Sequence, residues 1–154
     1  MSLATLSARE LEKAMLRGAT PDPEALAGWE FRGTNTPAWA RLAGIQRFIK
    51  GFYKQGCDLF GYNVPVRGAW QPKGARFGFY RVDRVDAAAR DNAYLHALLL
   101  DYGRGGNKPL DPTRGLRDYL VRVEDDVFLG KAYYAVGPLR VPASYFVLER
   151  LRPT

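Results

Sequence analysis

Apolar residues recur at helical spacing in two segments of the first third of the chain. In the first segment, Ser7 and Glu10 form the pattern of a capping box, and Leu11, Met15 and Leu16 follow on one side. Gly18 stands where such a helix would end. The spacing therefore predicts a short amphipathic helix that ends before Gly18.

The second segment begins with a threonine and a proline, Thr36 and Pro37, and Gly56 lies at its end. The apolar positions at helical spacing are Trp39, Leu42, Ile45, Phe48, Ile49 and Phe52. Three basic residues, Arg47, Lys50 and Lys54, fall on one side of the same pattern. These features predict a helix from Pro37 to Gln55 with one basic side.

Beyond Asp58 the hydrophobic period changes from helical to two, with many aromatic and β-branched residues. The stretches LRDYLVRV, VFLGKAYYAV and ASYFVLERLR are separated by the short turns EDD and GPLR. They predict three strands of an antiparallel meander. In GWEFRGTN, residues 28–35, Trp29 and Phe31 alternate with Glu30 and Arg32, which is typical of a half-buried strand.

Residues 86–102 fit two structures. Leu95, Leu98, Leu99 and Tyr102 match helical spacing, whereas Tyr94, His96, Leu98, Leu100 and Tyr102 match one face of a strand. We favour a strand over residues 93–102. Residues 103–115, GRGGNKPLDPTRG, have the composition of a long flexible loop.

Together these elements predict an α+β fold, mainly β, in a single domain over residues 1–154. A helical part, residues 1–57 with one short strand, would pack two N-terminal helices on a closed or strongly bent antiparallel sheet formed by residues 58–152. The length of 154 residues suffices for one full core.

The C-terminal run VEDDVFLGKAYYAV, followed by ASYFVLER, resembles the last strands of the small bacterial lipocalin-like domains that carry a GxWxG motif. GWEFRG stands where that family has its glycine and tryptophan motif. The resemblance implies a calycin-type antiparallel barrel with a helix near its mouth and an interior that holds one small apolar ligand. It implies no catalytic residues.

The formal charge is +7 and the pI is near 9.7, so the surface favours anionic partners. Cys57 is the single cysteine and His96 the single histidine, which excludes an intrachain disulfide and a cysteine and histidine zinc cluster. The chain starts without the apolar run of a signal peptide. We therefore expect a cytoplasmic protein.

The aromatic share of 13% is high and suits either a β-rich core or a lined cavity. We predict binding of a small hydrophobic or amphipathic ligand, with an acid head that arginines would neutralise. The residues predicted to bind it are Trp29, Arg32, Trp39, Tyr80, Tyr94, His96, Tyr119 and Tyr133, and the tryptophans and tyrosines among them are predicted to face the barrel interior. For Trp29 and its neighbour Phe31, packing in a core is the commoner role of such aromatics.

Three other hypotheses stay open. ARFGFYRV, residues 75–82, resembles the aromatic strand of RNA recognition domains, with Arg76, Arg81 and Arg84 placed to meet phosphates. The basic side of the second predicted helix would suit an anionic membrane surface. His96 would serve a small cavity enzyme or bind haem, but no second ligand accompanies it, the carboxylates are scattered, and we predict no cofactor.

Overall fold

The computed structural model describes residues 2–154 and shows a closed antiparallel β-barrel. Each of the eight barrel strands pairs with the next barrel strand along the chain, and the first, β1 Trp29–Asn35, also pairs with the last, β9 Leu139–Pro153, which closes the barrel. The barrel strands are β1 Trp29–Asn35, β2 Arg47–Gln55, β3 Asp58–Arg67, β5 Phe77–Arg84, β6 Leu98–Asp101, β7 Leu116–Glu124, β8 Val127–Val136 and β9 Leu139–Pro153. A short strand, β4 Gln71–Pro72, adds to the end of β3. The prediction of a mainly β fold with a closed antiparallel sheet is confirmed.

Helices are few and short. They are α1 Ala8–Arg17, α2 Pro23–Leu26 and α3 Ala38–Leu42, with single 3-10 turns at Leu3–Thr5, Tyr102–Arg104 and Pro112–Gly115. The predicted capping box is present, since Ser7 accepts a hydrogen bond from the Glu10 amide and donates its own amide to the Glu10 carboxylate. In residues 2–154 there is no helix with the length and apolar character needed to cross a bilayer.

The predicted second helix is wrong beyond Leu42, because Arg47–Gln55 forms strand β2. Residues 1–57 therefore contribute two strands rather than one. Phe48 and Phe52 pack in or beside the barrel interior, while Ile49 packs on the outer face. A strand with apolar side chains on both faces places them at positions that also fit a helix, and only pairing with β1 and β3 resolves the ambiguity.

In the ambiguous segment a strand is present, but it is shorter than predicted and covers Leu98–Asp101. Residues 103–115 contain two 3-10 turns, and the buried side chain of Asn107 ties them to the barrel. Its Nδ2 donates to the carbonyls of Phe79 and Tyr102, and its Oδ1 accepts from the Phe79 amide. The three predicted C-terminal strands are confirmed as β7, β8 and β9.

Apolar side chains form separate layers inside and outside the barrel. Inside, Phe31 makes edge-to-face contacts with Phe52 and Phe128, at centroid distances of 5.6 and 5.4 Å. Outside, Leu11 and Met15 of α1 are fully buried against the barrel wall, whereas Leu16, predicted on the same apolar side, is exposed. The inner layer fills only part of the barrel.

The two ends of the barrel differ. At the closed end, formed by residues 18–28, 55–58 and 124–127, the α2 residue Leu26 is buried in the inner core. The open end is formed by residues 35–47, 67–77, 102–115 and 136–139, and the first three of these segments line the mouth of a cavity.

Candidate ligand-binding cavity

A cavity of about 510 Å³ lies between the inner core and the open end of the barrel. Its walls are mostly apolar and include Phe48, Leu116, Ala132 and Phe146. Its polar floor is formed by Lys50, Asn63, Tyr102 and Asp118, and its rim includes Asn35, Trp39, Ile45, Arg47, Lys73 and Phe77. This volume falls within the range of cavities that hold small organic ligands.

Lys50 is the centre of the polar floor. The side chains of Lys50 and Asp118 are only 1% and 4% exposed, and their Nζ and Oδ2 atoms lie 3.1 Å apart. Lys50 Nζ also donates to Asn63 Oδ1 at 3.0 Å and to the Tyr102 hydroxyl at 2.7 Å. Three donated hydrogen bonds are the full capacity of an ammonium group, so the Lys50 ammonium is satisfied within the barrel.

Aromatic rings surround the same ammonium. Lys50 Nζ lies 4.5 Å from the ring centroid of Tyr80, 5.2 Å from that of Tyr102 and 5.3 Å from that of Phe146. Ring faces attract a cation at these distances. Burial nevertheless lowers the pKa of Lys50 below its usual value, and the neighbouring Asp118 carboxylate offsets only part of that effect.

The Asp118 carboxylate has one oxygen to spare. Oδ2 accepts from Lys50 and, at 2.9 Å, from the Tyr102 hydroxyl, whereas Oδ1 accepts no hydrogen bond from residues 2–154. No buried side-chain oxygen or nitrogen in that range lacks a partner, so Oδ1 must border the cavity. It is the hydrogen-bond acceptor that the floor presents to the cavity.

The rim is cationic. Arg47 and Lys73 line the cavity mouth, and within residues 2–154 neither forms a salt bridge. Arg47 lies 5.7 Å from the ring centroid of Trp70 and donates a long hydrogen bond to the carbonyl of Gly68. Since Lys50 and Asp118 neutralise each other, the mouth carries two surplus positive charges.

Two interior glycines make room for the rings that shape the floor and wall. A Cβ atom at Gly61 would lie 2.2 Å from the Tyr80 ring, and one at Gly130 would lie 2.1 Å from the Phe146 ring. Each ring lies flat over the backbone of the paired strand, and the Tyr80 hydroxyl donates to the Gly51 carbonyl at 2.8 Å. A side chain at either glycine would push the ring toward the cavity.

Of the residues predicted to bind a ligand, one lines the cavity and one supports its floor. Trp39, which is 51% exposed, lies at the rim, and Tyr80 is buried directly below Lys50. Trp29 lies at the edge of the inner core, with the Arg150 guanidinium 4.4 Å from its ring centroid. Arg32 is exposed and forms a salt bridge with Glu149, away from the cavity.

The other predicted residues lie on the outer face of the barrel. Tyr94, Tyr119 and Tyr133 pack beneath α1, so their predicted inward orientation is corrected. His96 Nε2 is 2.8 Å from the Met15 carbonyl on the same outer face. For Tyr119 in β7 and Tyr133 in β8 the predicted period of two is correct, but the face that the barrel encloses is the opposite one. Tyr94 and His96 lie in the turn before β6, so the predicted strand does not extend to them. A ligand-binding role for these residues stays untested.

The alternative sites are also dispersed. In ARFGFYRV, Phe77 lies at the cavity rim, Phe79 packs in an outer cluster, and Arg76 covers the Tyr62 ring at 3.8 Å. The rings therefore do not form one stacking platform. No group of three or more histidine, cysteine or acidic residues within 2–154 is arranged to hold a metal ion.

The predicted basic helix side is wrong as well, because its three cations separate along β2. Arg47 reaches the rim, Lys50 points into the barrel, and Lys54 forms an exposed salt bridge with Glu24. The sequence did not predict the polar floor, because residues 47–55 were assigned to a helix rather than to strand β2. The signal that was available is the alternation of Phe48, Lys50 and Phe52, which places a lysine on an apolar strand face.

Comparison of the chain with protein-family models, with curated proteins and with solved structures finds no match.

Proposed function

We propose that this protein binds a small amphipathic molecule with an anionic head in the cavity at the open end of the barrel. The observation that carries the proposal is the combination of an apolar wall, a polar floor and a rim with two unpaired cations around about 510 Å³. The resemblance to lipocalin-like domains favours the same function, since barrels of eight strands can hold one small ligand.

The charges favour one orientation of the ligand. Arg47 and Lys73 at the rim attract an anionic head, while Phe48, Leu116 and Phe146 contact the apolar body. A hydroxyl or amide N–H on the inner end of the ligand would find Asp118 Oδ1 as its acceptor. A ligand that placed a carboxylate on the floor would instead meet Asp118, whose charge repels it.

The test uses 8-anilinonaphthalene-1-sulfonate, an apolar anionic dye that fluoresces when water is excluded. We expect saturable binding with one site per chain and displacement by dodecanoate. Ala132→Trp places an indole in the cavity and abolishes this binding, whereas Ala89→Trp adds the same ring at an exposed position outside it and changes nothing. Equal binding by the two variants would contradict the proposal.

A second pair of measurements distinguishes the contribution of the rim cations to ligand affinity from that of the apolar wall. Arg47→Gln combined with Lys73→Gln weakens binding of the sulfonate dye by about ten-fold, because each surface cation contributes roughly one kcal/mol or less. Binding of Nile red, a neutral apolar dye, stays unchanged in the same variant. Loss of both dyes would show that the arginine and lysine support the structure rather than the anionic head.

A further inference from the structure

Exposed apolar side chains concentrate at one end of the barrel. Residues 2–154 carry eleven large hydrophobic side chains that are exposed, and all except Leu16 and Leu95 lie at or beside the open end. These nine are Trp39, Leu42, Ile45, Phe77, Leu110, Tyr134, Val136, Leu139 and Val141. Isolated exposed hydrophobic residues are ordinary, but a group around one opening marks an interaction surface.

Basic and acidic residues are distributed unequally between the open and the closed end of the barrel. The open-end segments contain eight basic residues, Arg41, Arg47, Arg67, Lys73, Arg76, Arg104, Lys108 and Arg114, and one acidic residue, Asp111. The closed-end segments contain six acidic residues and no basic residue; the acidic residues are Asp22, Glu24, Asp58, Glu124, Asp125 and Asp126. The β5–β6 connection, residues 85–97, packs along the outer face and adds Asp86, Arg90 and Asp91. The field of the protein therefore turns the open end toward a negatively charged surface.

We propose that the open end docks on an anionic lipid membrane. The proposal rests on the proposed function in one respect, since a docked mouth lets an amphipathic ligand pass between the bilayer and the cavity without crossing water. Leu42, 89% exposed on α3, and Leu139, at the tip of the β8–β9 hairpin, enter the headgroup region. The surrounding arginines and lysines bind the anionic headgroups.

The apolar group distinguishes a membrane from the other partners that a basic surface attracts. Nucleic acid is bound by cations together with aromatic rings that stack on bases, whereas six of the nine exposed residues are leucine, isoleucine or valine. A second copy of this chain docked through the same end would bring two cationic ends together, which charge repulsion opposes. Headgroups supply the missing negative charge, and acyl chains supply the apolar phase.

The experiment measures co-sedimentation of the full chain with sucrose-loaded vesicles. We expect binding to vesicles of phosphatidylcholine mixed with phosphatidylglycerol, weak or no binding to phosphatidylcholine alone, and weaker binding as salt rises. Leu42→Ser and Leu139→Ser each lower the partition coefficient by about ten-fold, because a leucine side chain no longer leaves water. Arg41→Gln lowers it by about five-fold.

Matched substitutions elsewhere are the controls. Leu95→Ser removes a leucine that is 61% exposed on the outer face, and Arg17→Gln removes an exposed cation at the end of α1. Each changes the partition coefficient by less than about two-fold, since exposed positions of this kind tolerate substitution. A loss in Leu95→Ser equal to that in Leu42→Ser would overturn the proposal.

Three further results would also overturn it: no binding to either vesicle, binding to a single-stranded oligonucleotide in place of vesicles, or a dimer in solution that Leu139→Ser dissociates. The cavity is tested separately by the dye measurement. If the Ala132→Trp variant binds vesicles normally but binds no dye, membrane docking and cavity binding are independent properties of the protein. Wild-type protein that binds vesicles but never the dye would retain the docking surface and lose the proposed function.

Discussion

The buried pair of Lys50 and Asp118 allows a quantitative test of the polar floor. Lys50→Met removes the ammonium and leaves Asp118 inside the barrel with the Tyr102 hydroxyl as its remaining partner. Breaking a buried pair by removing one partner costs about 3–5 kcal/mol, because the other charge stays buried without compensation. Asp118→Asn is expected to cost a similar amount, since it leaves the Lys50 ammonium without its carboxylate.

The double variant Lys50→Met with Asp118→Asn removes both charges and keeps an amide oxygen that can accept from Tyr102. Replacing both members of a buried pair is often close to neutral. We therefore expect the double variant to be more stable than the sum of the single variants predicts, by at least about 2 kcal/mol of coupling free energy.

Equilibrium unfolding in urea, followed by tryptophan fluorescence, measures these free energies. With a urea slope of about 2 kcal/mol per molar, each single substitution lowers the midpoint by about 2 M. The control is Lys54→Met on the same strand, where the salt bridge with Glu24 is exposed and the expected cost is at most about 1 kcal/mol. If Lys50→Met cost no more than Lys54→Met, the reasoning about an uncompensated buried charge would be refuted.

Three other predictions follow from the packing. Gly130→Ala, whose Cβ would lie 2.1 Å from the Phe146 ring, lowers the free energy of unfolding by about 1–3 kcal/mol and reduces dye binding, while Gly74→Ala, with its nearest atom at 3.4 Å, changes neither. Met15 is fully buried on the side of α1 that packs on the barrel, so Met15→Ala costs about 2–5 kcal/mol in urea unfolding but leaves dye affinity unchanged, because α1 lies outside the barrel. Burial raises the pKa of six of the nine tyrosines, so these keep their protons in the folded protein, whereas the unfolded chain loses them above a pH of about 10. The free energy of unfolding therefore falls as the pH rises through that region. Absorbance near 295 nm should show these tyrosines ionising together with unfolding, and their ionisation in the folded protein would contradict this prediction. The six are Tyr62, whose pKa is raised to about 12, and Tyr80, Tyr94, Tyr102, Tyr119 and Tyr145.

The sequence by itself determined the elements whose signals are local. The capping box of α1 and the period of two from β7 to β9 depend on residues a few positions apart, so both were predicted correctly. Trp39 and Tyr80, two of the residues predicted to bind a ligand, lie at the rim of the cavity and beneath its floor.

Only the tertiary structure decided which side of each strand would be enclosed. Barrel closure through β1 and β9 placed Tyr80 inside and Tyr119 outside, although both belong to strands with the same alternation. It also turned Lys50 inward, where Asp118 lies sixty-eight positions away in the chain. A buried lysine and a surface lysine look alike in sequence, because the compensating partners are brought together by strand pairing rather than by local spacing.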